Sequence, residues 1–296
     1  MANDVIILKP DDPRWPVGLN NLAQPPEVMF CKGNLELLEK PIVAIVGTRD
    51  STRYGMEVAK KLAGQLAELG IVTVSGLADG IDAAAHIGAG PKHTIAVLGN
   101  GVNQFYPAAN VDLQKKIASD GGLLVSEYPP SEKSNKFHFP QRNRIIAALS
   151  KAVIIVEADI KSGALITKDF ALDLGLEVFA VPGAITSPAS RGTNEMIKTA
   201  ACACLTDVSD VLSVFGMTYT DAKANTVTQL SFEAKAVLDV LKHDEVHFDE
   251  IVEKTKFLPK ILSTLLTRME MDGIILTLPG NYYVSKLGKS AQEKET

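Results

Sequence analysis

Ile42-Val43-Ala44-Ile45-Val46-Gly47-Thr48-Arg49 is an unbroken apolar run with no polar alternation, closed by a glycine and soon after by a cation. A strand that shows neither face to water reads this way, and such strands belong to parallel sheets covered by helices on both sides. The pattern returns at Ile71-Val72-Thr73-Val74, Thr94-Ile95-Ala96-Val97-Leu98, Leu123-Leu124-Val125, Val153-Ile154-Ile155-Val156 and Val178-Phe179-Ala180-Val181, with amphipathic helical stretches between. The spacing predicts an α/β fold built on a parallel sheet. Each run ends in Gly, Ser or an acidic residue, as in Ser75-Gly76, Gly99-Asn100-Gly101, Ser126-Glu127, Glu157-Ala158-Asp159 and Pro182-Gly183. In open sheets of this kind ligands sit beyond the carboxyl ends of the strands, near the point where strand order reverses.

Outside this core the pattern changes twice. Residues 1–40 are rich in Pro and Asn, with turn signals at Asp11-Asp12-Pro13-Arg14-Trp15-Pro16 and Gln24-Pro25-Pro26, and are expected to form a small leader lobe packed on the core. The sheet domain is expected over 41–216, and the polar run Thr218 to Asn225 lies within a linker over 217–228. A second module then spans 229–290. Ser231 is placed to cap a helix running to Leu241, Phe248 to Thr255 gives a second helix, and Leu258-Pro259 opens a third that ends at Met271. Ile274 to Leu278 and Tyr282 to Val284, joined by Pro279-Gly280-Asn281, make a hairpin. Three helices and a terminal hairpin follow the order of a winged helix-turn-helix. Its third helix carries Lys260 and Arg268 against Glu270 and the following Asp272, a poor charge balance for reading DNA, so a protein-contact role is at least as well supported.

With 296 residues, 46% of them hydrophobic, the chain can bury one large core or two smaller ones. The formal net charge of -5 gives no global attraction for a polyanion, so any such binding must be local. No run approaches the roughly 18 apolar residues of a membrane span, and Met1 to Val5 do not open a signal peptide; a cytoplasmic location is expected, with no membrane partner. Cys31, Cys202 and Cys204 make no disulfide framework and fit a reducing compartment. Without a second Cys or His pair at ligand spacing, Cys202 and Cys204 are read as buried thiols and not as a metal site.

Charge and aromatic rings gather in one place. Lys136-Phe137-His138-Phe139-Pro140-Gln141-Arg142-Asn143-Arg144, with Lys133 upstream and Glu132 the opposing charge, reads as a loop after a strand and before a helix. Rings stack on bases and cations hold phosphates, a combination suited to single-stranded nucleic acid. The turn Gly47 to Gly55 joins strand to helix, where backbone amides make an anion site to which Arg49 and Arg53 add charge. Both loops fall on the same rim. Asp82 and His86 stand one helical turn apart, read as a structural hydrogen-bonding pair because no nucleophile is placed beside them. Gly99-Asn100-Gly101 starts like a dinucleotide motif and then fails, and Gly288-Lys289-Ser290 lacks the upstream glycine of a phosphate loop. No cofactor is called for.

These residues resemble the DNA-processing protein A family, also called Smf. The resemblance rests on Gly47-Thr48-Arg49 with Tyr54-Gly55, Ser75 to Asp82 with His86, Tyr106-Pro107, Ser126-Glu127, Phe139 to Ile146, Ser162-Gly163, and Pro182-Gly183 with Gly192-Thr193-Asn194, and covers about residues 10–216 in order. It implies an extended Rossmann-like domain that binds single-stranded DNA, protects incoming strands during natural transformation and loads the RecA recombinase, as a homodimer and not as an enzyme. Carried over, its nucleic-acid-binding set is Gly47, Thr48, Arg49, Lys136, Phe139, Arg142, Asn143 and Ser162. The C-terminal winged helix is also similar to the family's tail. Two departures stand out: Trp15-Pro16 replaces the usual Tyr-Pro, and no helical sterile-alpha-motif-like domain is expected ahead of the leader lobe. The alternative is a phosphoribohydrolase of the lysine-decarboxylase-like fold, acting on nucleoside monophosphates. Against it, Pro182-Gly183 is separated from Gly192-Thr193 by Ala184 to Arg191, and Glu195 comes too early for that family's phosphate loop. A regulator acting on duplex DNA through the winged helix is a third reading.

Overall fold

A computed structural model describes residues 4–217, 232–241, 245–271 and 274–285. Ser231, Gly288-Lys289-Ser290 and all of the expected linker except Met217 lie outside the described residues. The chain divides into two compact units, Met1–Ala222 and Lys223–Thr296.

The first unit is a nine-stranded sheet in the order β1-β2-β6-β5-β4-β3-β7-β8-β9. Its strands are β1 (Ile6–Leu8), β2 (Met29–Gly33), β3 (Ile42–Val46), β4 (Val72–Ser75), β5 (Thr94–Val97), β6 (Leu123–Ser126), β7 (Ala152–Ile155), β8 (Glu177–Ala180) and β9 (Ala203–Cys204). From β6 to β9 every pairing is parallel, as the unbroken apolar runs require. The leader segment changes this picture at one edge. β1 and β2 pair antiparallel with each other and β2 pairs antiparallel with β6, so residues expected to pack on the sheet also extend it.

Within β3 the side chains alternate between two cores. Ile42, Ala44 and Val46 join the cluster containing Ile145 and Leu149 of α4 (His138–Leu149) and Ala171 of α5 (Ala164–Asp173). Val43 and Ile45 join the cluster containing Leu62 and Leu66 of α1 (Arg53–Glu68) and Ala85 of α2 (Ile81–Ala89). A period of two buried on both faces leaves no polar position, which is why the run is continuous. Each fully buried Ile or Val contributes roughly 1.5–3 kcal/mol of transfer free energy.

Strand order sets the place of the crevice. The chain steps outward from β3 through β4, β5 and β6, then returns to the other side of β3 as β7 and continues to β8 and β9. The connections leaving β3 and β7 therefore diverge, and their carboxyl ends open a gap between them.

The second unit packs helices Phe232–Val240, Phe248–Thr255 and Pro259–Met271 around Val237, Ile251, Leu262 and Leu266, with a three-stranded sheet beside them. Its strands run β10 (Val246–His247), β12 (Tyr282–Ser285), β11 (Ile275–Leu278), all antiparallel neighbours. The hairpin turn places Gly280 at φ 83° and Asn281 at φ 60°, a region that glycine and asparagine tolerate best. Among the described residues no helix is long and apolar enough to cross a membrane, and no His, Cys, Asp and Glu group could hold a metal. Cys204 corrects the reading of both late cysteines as buried: it lies on the edge strand β9 and is exposed, while Cys202 is half-buried.

Candidate nucleic-acid interface

An open cleft of about 580 Å³ lies at the carboxyl ends of the central strands. All eight residues singled out from the sequence line it, supplied by the β3–α1 turn, the start of α4 and the β7–α5 turn. Arg49 is exposed, and its guanidinium carbon stands 5.5 Å from the centre of the Phe139 ring. Phe139 is half-buried, with the Tyr106 ring 5.3 Å away at an interplanar angle of 30°. Behind the ring is Gly99, where a Cβ would come within 2.7 Å of it. Gly99 is thus used to admit a ring and not to approach a pyrophosphate. Lys136 is exposed, with its ammonium 5.1 Å from the Phe137 ring, and neither Lys136 nor Arg49 makes an ion pair among the described residues.

The segment read as a loop is helical from His138 onward. The Asn135 side chain accepts from the Phe137 amide at 3.1 Å, turning the chain into α4. Pro140 is then third in the helix, where no intrahelical donor is needed. Phe139, Arg142 and Asn143 consequently have helical spacing, and their roles separate. Arg142 is 3% exposed. Its guanidinium donates to the carbonyls of Gly76, at 2.6 Å, and Val97, and it faces Asp82. Burial brings its pKa down to about 10, an effect partly offset by the charge of Asp82. The expectation that Arg142 presents its charge to a ligand therefore needs correcting. It ties the ends of β4 and β5 together, because carbonyls at two buried strand ends require a donor.

The Asp82–His86 pair is also rearranged. The two are buried but bond elsewhere: Asp82 accepts from the Gly76 amide at 3.1 Å, and His86 Nε2 accepts from the Leu77 amide at 3.2 Å. That fixes the proton on His86 Nδ1, which donates to Thr94 Oγ1 at 2.6 Å. Burial raises the Asp82 pKa against the opposing charge of Arg142, and burial, helped by Arg142, lowers that of His86 to about 3. Arg144, counted with the cations of this segment, is buried and paired with Glu127 at 2.5 Å.

The amino end of α1 does not offer the anion site expected of it. Glu157, buried at the end of β7, already lies there: Oε2 accepts from the Thr52 amide at 2.9 Å and Oε1 from the Thr52 hydroxyl at 2.6 Å. An internal carboxylate meets the helix dipole, and a phosphate would be repelled by it. Arg53 is turned to Glu57, at 2.7 Å. Gly47 is packed under Ile81, and the Thr48 amide donates to the Glu157 carbonyl at 2.7 Å, so both shape the turn that carries Arg49. Asn143 Nδ2 donates to the Gly163 carbonyl at 3.3 Å, tying α4 to the β7–α5 turn, and Ser162 Oγ accepts from the Ala164 amide at 3.3 Å. The eight residues thus share one cleft, but Arg49, Lys136 and Phe139 are the ones that turn charge or a ring surface toward it. Tyr106 and Gly99 belong with them and were not selected from the sequence. The signal available was a glycine at a strand end followed by an aromatic pair, Phe105-Tyr106.

Both units of the chain resemble known proteins. The family described as DNA recombination-mediator protein A matches residues 6–216, and its DprA winged helix domain matches 221–281. The DNA processing protein DprA of Streptococcus pneumoniae is 46% identical over 207 residues, which is 69% of this chain and 72% of that one. Protein Smf of Escherichia coli is 34% identical over 287 residues, 93% of this chain and 76% of its own length. A solved structure of DNA processing protein A from Helicobacter pylori, reported for its single-stranded DNA binding mode, matches with a TM-score of 0.65 at 32% identity, over 73% of this chain and 98% of that one. With both of its units matched in order, the chain belongs to the DNA recombination-mediator protein A family.

Proposed function

We propose that this chain binds single-stranded DNA in the cleft between the β3–α1 turn and α4, without sequence preference. The observation that carries the reading is the Arg49 guanidinium beside the partly open Phe139 ring, with Lys136 on the same rim. A base stacks on the ring while the two cations hold flanking phosphates, and nothing in the set reads a base edge. The Helicobacter pylori relative, described by its single-stranded DNA binding mode, supports the same use here. On this reading the chain is a cytoplasmic homodimer that protects incoming strands in natural transformation and loads RecA on them without hydrolysing anything. The family's description as a recombination mediator supports the loading role. The proposed organisation is a leader lobe over 1–40, a strand-binding domain over 41–216, a linker over 217–228 and a winged helix over 229–290.

The test is fluorescence anisotropy with labelled oligo-dT, duplex DNA and adenosine monophosphate as separate ligands. Oligo-dT should bind best, with a salt slope near 0.7 per phosphate neutralised. Arg49→Ala and Lys136→Ala should each weaken binding and flatten that slope. A salt-independent signal overturns the reading, and preferential binding and hydrolysis of adenosine monophosphate would favour the phosphoribohydrolase. For the loading role, adding the protein to RecA strand exchange on coated single strands should shorten the lag.

A further inference from the structure

Cation and ring meet repeatedly on this face of the first unit. Beside Arg49 on Phe139 and Lys136 on Phe137, Lys115 places its ammonium 5.4 Å from the Phe105 ring. Phe105 is 51% exposed although it is a large apolar side chain, and Lys115 is exposed and makes no ion pair among the described residues. Neither belongs to the set singled out from the sequence, and neither lines the central cleft.

The Phe105 loop is both continuous with that cleft and held rigid. Phe105 is joined to Tyr106, whose ring lies 5.3 Å from Phe139, so the two ring-bearing sites are adjacent along the rim. Buried Asn100 donates from Nδ2 to the carbonyls of Gly101 and Gln104, at 3.1 and 3.0 Å. Buried Gln114 donates to the Gln104 carbonyl at 2.8 Å and accepts from the Tyr106 amide at 3.4 Å. Two buried amides fix the loop from beneath while its phenyl ring faces water. Exposure of such a ring carries no folding benefit, whereas a platform that is already ordered binds without further loss of freedom.

We infer that Phe105 and Lys115 form a second stacking subsite, where a single strand leaving the central cleft past Tyr106 lays a further base on the Phe105 ring and a phosphate beside Lys115. The inference rests on the single-strand reading of the central cleft. One strand serves both places because each pairs one ring with one cation, the repeating unit of a non-specific single-strand track.

The experiment uses the full chain and oligo-dT of about 4 and about 16 nucleotides, the limits of common site sizes. Phe105→Ala should weaken the longer oligomer about tenfold and leave the shorter one unchanged. Phe105→Trp should restore it. Lys115→Ala should lower the salt slope for the longer oligomer by about 0.7. Since Phe105 is exposed, the thermal transition should stay intact; if Phe105→Ala unfolds, Lys115→Ala decides alone. Wild-type affinity and slope in both variants, with Arg49→Ala still impaired, overturns the subsite and leaves the central cleft standing. Failure of the unaltered chain to bind either oligomer removes the central reading first and the subsite with it.

Discussion

The cleft at the carboxyl ends of the sheet and the exposed face of helix Pro259–Met271 both present cations to solvent, and they are built differently. In the cleft, few charges are open, but Arg49 and Lys136 each stand beside an aromatic ring. The helix has Lys260 and Arg268 on its exposed side, yet it also shows Ile261, 53% exposed, with Leu258 just before it at 67%. Thr264 and Thr267 donate their hydroxyls back to the carbonyls of Lys260 and Ser263, both at 3.0 Å, so those donors are turned from any base edge. Cation number alone therefore does not separate the two surfaces. What separates them is that both open cations of the cleft stand beside a ring, whereas Lys260 has none beside it among the described residues.

The sharpest contrast lies beneath the surfaces. Arg142→Leu should destabilise the first unit by about 3–5 kcal/mol, because it strands the Gly76 and Val97 carbonyls and leaves Asp82 without its facing charge. Lys260→Ala, on the exposed helix, should stay within about 0.5 kcal/mol. Urea unfolding of both variants measures the difference. Equal small losses would mean that the buried cation does not brace the cleft.

A smaller effect separates stacking from charge within the cleft. Phe139→Ala should cost about 1–3 kcal/mol of oligo-dT binding and leave the salt slope nearly unchanged, unlike Arg49→Ala. A lost thermal transition would instead show that Phe139 serves mainly to fill the space over Gly99.

Acid tests the same buried layer. His86 has a folded pKa of about 3 against an ordinary 6.5. Above pH 6.5 neither state binds its proton and stability is undiminished; as pH falls below 6.5 only the unfolded chain takes the proton, and stability is lost until about pH 3. Between pH 7 and 5 the loss should be about 2 kcal/mol. His86→Gln keeps an acceptor for the Leu77 amide and should flatten that dependence. An unchanged slope in this variant would show that His86 is not its source.

Much of this architecture could be read from residue order. The inner parallel strands were legible because burial on both faces leaves an apolar run, as at Ile42 to Val46. β1 was not, since its three residues are defined by pairing with Met29 to Cys31 far along the chain, and β10 has only two residues. Arg49, Lys136 and Phe139 could be gathered from turn position and composition. Arg142 and Arg144 could not be sorted from them, because a guanidinium reads as exposed until the carbonyls or carboxylate that bury it are known. Glu157 at the amino end of α1 escaped for the same reason: it is more than a hundred residues away from Thr52 in the chain.

The smallest expected effect falls on the winged helix itself. A chain ending at Ala222 keeps the whole first unit, including every cation and ring of the cleft. Non-specific affinity is set by phosphates neutralised and bases stacked, and the exposed helix supplies neither rings nor a surplus of charge at its end, where Glu270 follows Arg268. Removing the second unit should therefore change oligo-dT affinity by less than tenfold, under about 1.4 kcal/mol, and leave the salt slope in place. Anisotropy titrations of the two lengths, with circular dichroism to verify the fold, read this directly. A larger loss with an intact fold and a flatter slope would mean that cations of the second unit hold phosphates, and the contrast between the two surfaces would fail. A larger loss with the slope preserved would instead point to an apolar contribution, for which Leu258 and Ile261 are the residues to change next.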